Sequence, residues 1–286
     1  MTAAASFGDL AGKTVVITGG TGVLGAVFAK AFADSGASVA VIGRDEVKAD
    51  QVVAEISTTG GRALAVSADV LDRDSLKRAH ETVSAAFGPC DILVNGAGGN
   101  RPQGTTSSEY LSLDATDSAA DTDELSFFDL TDDAVRDVLD LNFLGTLSAT
   151  QEFARDMVGR PGCSVINISS MNAYTPLTKI PAYSAAKAAV SNFTQWLAVH
   201  FSKAGIRVNA IAPGFFVTDQ NRDLLFDGDE PSARTSKILA STPMGRFGRP
   251  EELIGTLLFL ASEQTSSFVN GVVIPVDGAF SAYSGV

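Results

Sequence analysis

Tyr183 and Lys187 stand four residues apart in Tyr183-Ser184-Ala185-Ala186-Lys187, within a stretch patterned as a helix. That spacing puts the ammonium beside the phenol on one helix face. A free tyrosine has a pKa of about 10 and is a poor acid or base at neutral pH. A neighbouring cation favours the phenolate, so the pair is expected to lower the Tyr183 pKa and make it a usable proton donor and acceptor. The same two residues also suit an ordinary solvated helix face, so their meaning depends on what the rest of the chain brings to them.

A second constellation lies near the start. The apolar run Thr14-Val15-Val16-Ile17 leads into Thr18-Gly19-Gly20-Thr21-Gly22-Val23-Leu24-Gly25 and then a helix-period segment. Gly20, Gly22 and Gly25 satisfy G-x-G-x-x-G in a strand–turn–helix context, which predicts a dinucleotide site along Gly19–Gly25. Glycines let the backbone approach a pyrophosphate, and the helix N-terminus offers N–H groups and the positive end of its dipole. A tight strand–helix turn without a ligand would carry similar glycines. The second strand ends in Ile42-Gly43-Arg44-Asp45. An arginine there suits the 2′-phosphate of NADP, whereas an acid suits the ribose of NAD. Arg44 therefore tilts the reading toward NADP(H), and Asp45 keeps NAD(H) open. Asp69, followed by Val70 after the third strand, is placed to meet the adenine or to cap the next helix.

These residues need a scaffold, and the hydropathy pattern supplies one. Short apolar runs at 14–17, 39–42, 63–66, 92–94, 165–168, 208–211 and 272–274 read as buried strands. Helical patterns occupy roughly 23–35, 46–58, 73–87, 132–158, 183–204 and 250–262. The alternation predicts an α/β fold: a Rossmann-type doubly wound parallel sheet of about seven strands with helices on both faces, in a single domain over 1–286. Two stretches interrupt it. Residues 100–131 carry Glu109, Asp114, Asp117, Asp121, Asp123, Glu124 and Asp129 against one Arg101, and read as an acidic surface excursion. Residues 214–247 mix Phe215, Phe216, Leu224, Leu225 and Phe226 with polar residues, and read as a lid over the site or a fixed substructure at the sheet end.

Composition narrows the functional classes. A net charge of -12 over 286 residues argues against nucleic acid or an anionic membrane surface as partner. No run of about 18 apolar residues predicts a membrane span, and the first residues lack the basic and apolar regions of a signal peptide. Cys90 and Cys163 each open an apparent strand, and two buried free thiols fit a reducing cytoplasm. His80 and His200 stand away from any cysteine or carboxylate cluster in the sequence, so no metal site is expected.

Further motifs appear in a familiar order. Asn95-Gly96-Ala97-Gly98 follows the fourth strand, Asn142 lies in Leu141-Asn142-Phe143-Leu144-Gly145, and Asn167-Ile168-Ser169-Ser170 ends the fifth strand. Tyr183-x-x-x-Lys187 and Pro213-Gly214-x-x-x-Thr218 come after them. In this set the chain resembles the short-chain dehydrogenase/reductase family over nearly its whole length. The family's serine precedes the tyrosine by thirteen residues, which selects Ser170 over Ser169. One departure is visible: the family's Thr-Gly-x-x-x-Gly-x-Gly has Val23 at the middle glycine, with Gly22 one residue early. Thr-Gly-Gly-Thr-Gly-Val-Leu-Gly, Asn95–Asn100, Ser170–Lys179 and the terminal Phe280–Val286 further resemble a D-mannonate oxidoreductase (fructuronate reductase)-like branch.

The resemblance implies an NAD(P)-dependent oxidoreductase with Asn142, Ser170, Tyr183 and Lys187 as its catalytic set. It implies cofactor contacts from Asn95, Gly96, Ala97, Gly98, Pro213, Gly214, Phe216 and Thr218, and Lys187 on the nicotinamide ribose. D-fructuronate and D-mannonate would be the substrate pair, and a gluconate 5-dehydrogenase-like activity on another keto sugar acid or polyol is the alternative. A catalytically dead cofactor-binding scaffold would have no need of the four-residue set. A sugar-acid carboxylate needs cations or N–H donors, for which Asn100, Arg101, Asn172, Lys179 and Arg222 are candidates. Relatives usually form homotetramers through the helices here at about 132–158 and 183–204, the second carrying Phe193, Trp196 and Leu197.

Overall fold

Strand interiors with both faces covered must be apolar on both faces, and this sheet follows that rule closely. β1 (Thr14–Thr18), β2 (Ser38–Gly43) and β6 (Ile206–Pro213) are buried at every position. With β3 (Arg62–Ser67), β4 (Ile92–Asn95), β5 (Cys163–Ile168) and a last strand, Val273–Val276, they form a seven-stranded sheet. Each of the six pairings is parallel. The computed structural model describes residues 7–113, 124–217, 226–227 and 230–285.

Alternate side chains along each strand feed two cores. Val15, Ile17, Val39 and Val41 point to one layer, where they meet Phe28 and Phe32 of α1 (Val23–Asp34), Val52 and Ile56 of α2 (Glu46–Thr58), and Leu257 and Leu260 near the C-terminus. Val16, Ala40 and Ile42 point to the other, against Leu76 and Val83 of α3 (Arg73–Phe87), Phe153, Met157 and Leu197. Truncating a fully enclosed phenylalanine such as Phe32 or Phe153 to alanine would cost about 3–5 kcal/mol.

The strand order is β3-β2-β1-β4-β5-β6 and then the last strand. The winding reverses between β1 and β4, where Thr18 pairs with Asn95. A crevice therefore opens beyond the carboxyl ends of these two strands, the place where open α/β sheets bind ligands.

Four helical segments differ from the sequence expectation. The predicted 132–158 helix is α4 (Asp132–Leu139), a π-helical turn over Asp140–Leu144, α5 (Gly145–Phe153) and a 3-10 turn over Ala154–Met157. The helix that carries Tyr183 and Lys187, α6 (Pro181–Phe201), starts two residues early, because Pro181 suits the first turn. Within 214–247 lie a two-stranded ribbon, β7 (Phe226–Asp227) with β8 (Glu230–Pro231), and the helix α7 (Ala233–Ala240), capped by Ser232. The C-terminal segment is a 3-10 turn followed by α8 (Ile254–Ala261), and the last strand is β9.

The expectation for His80 changes as well. Its ring nitrogens lie 2.9 Å from Asp156 and 3.2 Å from Glu152, and Asp156 also accepts the Cys90 N–H. The two carboxylates come from 72 and 76 positions along the chain, so adjacency in sequence could not reveal them. No metal-binding group of three or more histidine, cysteine or acidic residues occurs among the described residues. No described helix is long and apolar enough to cross a membrane. Cys90 and Cys163 are buried free thiols, and burial pushes both upward in pKa.

Candidate active site

The glycine turn is built by close backbone approach. Gly19 adopts φ +67°, and a Cβ there would lie 2.7 Å from the Gly96 carbonyl and the Ala97 nitrogen. The loops leaving β1 and β4 therefore touch through their backbones. Gly25 has the same constraint in the first turn of α1, where any Cβ would run into the Gly19 carbonyl. Gly22 is the N-cap of α1 and has no side chain to satisfy the first N–H groups, while its own N–H bonds Gly19 at 3.0 Å. Helix-terminal N–H groups left in this way suit a pyrophosphate. Val23 begins α1 and Leu24 packs against the first core, so the shifted glycine leaves the helix start intact.

The end of β2 bears on cofactor choice. A Cβ on Gly43 would meet the Thr21 hydroxyl at 2.7 Å, so Thr21 occupies the space where a strand-end acid would project. Asp45 caps α2, accepting the Lys48 N–H at 3.1 Å, and Arg44 is exposed beside it. Asp69 does not cap α3, because Asp72 does so through Asp74 and Ser75. Instead the Asp69 carboxylate accepts the Leu71 N–H at 2.9 Å. Val70 is buried against Gly145, whose Cβ would come within 2.7 Å of it.

Asn142, Gly98 and Lys187 converge at one point. The π-helical turn inserts one residue into the α4–α5 run and turns Asn142 fully inward. Its Oδ1 accepts the Gly99 N–H at 3.1 Å, and its Nδ2 donates to Gly99 O at 2.7 Å and Val138 O at 2.8 Å. A Cβ on Gly98 would lie 2.6 Å from Asn142 Oδ1 and 3.1 Å from Lys187 Nζ. Lys187 is 5% exposed and donates from Nζ to Ile168 O at 2.8 Å. Its ammonium lies 5.6 Å from the centre of the Tyr183 ring.

Ser169 and Ser170 separate by direction. Ser169 bonds the Lys187 carbonyl and Ser191, inside α6 packing. Ser170 hydrogen-bonds Tyr183 and accepts the Asn172 N–H at 3.2 Å.

The expected lowering of the Tyr183 pKa is not found in the cofactor-free chain. Burial pushes the phenol up to about 12, and the Ser170 hydrogen bond opposes that only in part. Tyr183 keeps part of its surface exposed, and solvent access moderates the rise. Burial also draws Lys187 down to about 8. Desolvation sets both shifts, and at Tyr183 only the Ser170 hydrogen bond opposes it.

The remaining predicted residues divide. Asn95 spends its amide donors on Thr150 and Asn167 in the core, tying β4 to α5 and β5. Pro213 ends β6, and Gly214 bonds Val276 and leaves no room for a Cβ beside Asp277. Phe216 is buried against Gly248. Asn100 bonds the Thr105 hydroxyl, and Arg101 starts the Pro102–Gly104 turn. Asn172 is buried below Ser170, and Lys179 lies in the left-handed region at φ +72°. Thr218 and Arg222 fall outside the described residues. Two cations that sequence reasoning passed over, Arg234 and Lys237, project from α7, and Lys237 bonds Glu109 at 2.7 Å. Ser232 followed by a short amphipathic run was the available signal for that helix.

Known proteins resemble this chain in sequence and in fold. An uncharacterized oxidoreductase of Haemophilus influenzae is 54% identical over 279 residues, covering 97% of this chain and 96% of the relative. A crystal structure from the same species, of a protein proposed to be a D-mannonate oxidoreductase and holding NAD, superposes with a TM-score of 0.93 at 53% identity. It covers 98% of this chain and 99% of its own. A gluconate 5-dehydrogenase of Burkholderia cenocepacia, in complex with NADP and tartrate, superposes with a TM-score of 0.80 at 30% identity, covering 96% of each chain. Residues 13–227 match the short chain dehydrogenase family, a span that runs from the strand before the glycine turn through Tyr183 and Lys187 to beyond β6. This chain belongs to that family of oxidoreductases, which act on alcohol and keto groups.

Proposed function

We propose that the enzyme reduces the ketone of a keto sugar acid, with D-fructuronate and D-mannonate as the substrate pair. The observation that carries the chemistry is the contact of Ser170 with Tyr183 above a buried Lys187, at the strand ends beside the glycine turn. The substrate assignment leans on the likeness to the Haemophilus structure.

When bound, the nicotinamide supplies the hydride to the carbonyl carbon. Gly19, Gly20, Thr21, Gly22, Val23, Leu24 and Gly25 would hold the pyrophosphate; Asp69 and Val70 the adenine; and Gly96–Gly98, Pro213, Gly214, Phe216 and Thr218 the remainder. Ser170 and Tyr183 each donate a hydrogen bond to the carbonyl oxygen, where negative charge develops. Tyr183 then gives its proton to that oxygen. A phenol with a raised pKa keeps its proton until a more basic alkoxide forms, which suits the reductive direction. Lys187 stabilises the phenolate left behind. Asn142 is a positioning residue that sets the Gly98–Gly99 backbone against Lys187.

Arg44 argues for NADP(H), and the relative at 53% identity holds NAD. In this reading the 214–247 segment is the substrate lid and 100–131 an acidic loop insertion, in one domain spanning 1–286. Assembly as a cytoplasmic homotetramer would use α4–α5 and α6. There Leu197 turns into the core and Trp196 stays 55% exposed, stacked on Phe193 and His200.

The test is a panel of D-fructuronate, 5-ketogluconate and neutral ketoses, each with NADH and NADPH. D-fructuronate should show the highest kcat/KM. A higher value for 5-ketogluconate would move the assignment to the gluconate 5-dehydrogenase type, the reading favoured by the Burkholderia relative.

A further inference from the structure

A chain with a net charge of -12 must gather cations locally if it is to hold a carboxylate. The described residues do so between α7 and the loop that precedes α6. Lys237 of α7 bonds Glu109 across 128 residues at 2.7 Å, linking the 214–247 segment to the acidic insertion. Arg234 lies one helical turn before Lys237, on the same side of α7. Lys179 joins them from the loop before α6, with its carbonyl accepting the Thr106 N–H at 2.8 Å. Lys237 holds the Glu109 carboxyl below its ordinary range through that hydrogen bond, and the charges of Lys179 and Arg234 act on it in the same direction.

Lys179 ties the cluster to the helix that carries Tyr183, standing two residues before its start. Lys179 precedes Tyr183 by four residues, and Gly104 packs on Val138 and on Ala182, the neighbour of Tyr183. Lys179 also holds a left-handed backbone, rare for a residue with a side chain. Such strain persists where surrounding structure imposes it, often at ligand sites. The Lys237 side chain is 67% exposed and that of Glu109 30%, and a pair of this kind contributes little to stability.

We propose that Lys179, Arg234 and Lys237 form the carboxylate-reading subsite of the enzyme, and that Glu109 occupies it until the substrate's carboxylate takes its place. The inference rests on the keto-sugar-acid reading above. It makes Glu109 an internal competitor, so the two ends of the bridge affect substrate binding with opposite signs.

Lys237→Gln and Glu109→Gln are compared through the ratio of KM for D-fructuronate to KM for D-fructose, which has the same ketone and a hydroxymethyl group in place of the carboxylate. Loss of one charged hydrogen bond raises the ratio about tenfold in K237Q. Loss of the competitor lowers it in E109Q. Shifts of the same sign in both variants, or a ratio unmoved in either, refute the subsite. A wild-type enzyme that reduces neither compound defeats the substrate reading instead. The subsite is then read by calorimetric binding of D-gluconate to the NAD-loaded enzyme: Kd should rise in K237Q and fall in E109Q, and equal affinities refute it.

Discussion

Replacing Lys187 with methionine should make the cofactor-free protein more stable at pH 7 and less stable at pH 10. The side chain is 5% exposed, and burial lowers its pKa from 10.5 to about 8. At about 1.4 kcal/mol per pH unit, that fall represents about 3 kcal/mol of cost to the charged form. Below about pH 8 the amine is charged in both folded and unfolded chains, so the whole cost is carried. Between about 8 and about 10.5 the unfolded chain binds a proton that the folded chain has released, and wild-type stability climbs with pH. By pH 10 about 1 kcal/mol of the cost remains. Methionine fills a similar volume without charge but cannot donate to Ile168 O, and an orphaned carbonyl costs about 1–3 kcal/mol. The balance is about 1 kcal/mol in favour of Lys187→Met at pH 7, reversing by pH 10. Urea unfolding of both proteins at the two pH values measures this. The difference between them should move by about 2 kcal/mol toward the wild type. A difference independent of pH would mean that Lys187 is not a desolvated cation. Reductase activity of the variant should fall on the order of 100-fold, a trade of function for stability.

Two other substitutions probe the site. Tyr183→Phe should lower kcat on the order of 10²–10⁴-fold while NAD(P)H still titrates the protein fluorescence, and an active variant would remove Tyr183 from its role. Gly25→Ala should raise the cofactor Kd more than about tenfold and destabilise the fold by about 1–3 kcal/mol, since its Cβ would run into the Gly19 carbonyl. Unchanged cofactor affinity would show that the turn does not carry the pyrophosphate.

Seven strands were legible in the sequence because a sheet covered on both faces writes itself as short apolar runs. The glycine turn was legible because Gly20, Gly22 and Gly25 follow a strand at fixed spacing, and Gly25 is crowded by Gly19 within the turn itself, although the crowding of Gly19 comes from the distant Gly96 and Ala97. The order of Asn142, Ser170, Tyr183 and Lys187 was enough for the family, because each motif sits at a strand end or on a helix that periodicity could place.

What periodicity could not show depended on distant partners. Asp140–Leu144 has an ordinary helical pattern, yet it forms a π-helical turn, with Asn142 bonded inward to Gly99 forty-three residues away. The sequence spacing of Tyr183 and Lys187 suggested a lowered phenol pKa. The folded pocket reverses the sign, since desolvation comes from the walls and not from the pair. Lys237 looked like any lysine in an irregular segment until α7 brought it against Glu109. The chain's sequence alone determined its fold class and its family, and singled out the glycine turn and the proposed acid–base residues, because those follow from spacing and side-chain type. The energetics of those residues, and the pairing of Lys237 with Glu109, were decided only by tertiary structure, because burial and charge proximity depend on groups far apart in sequence.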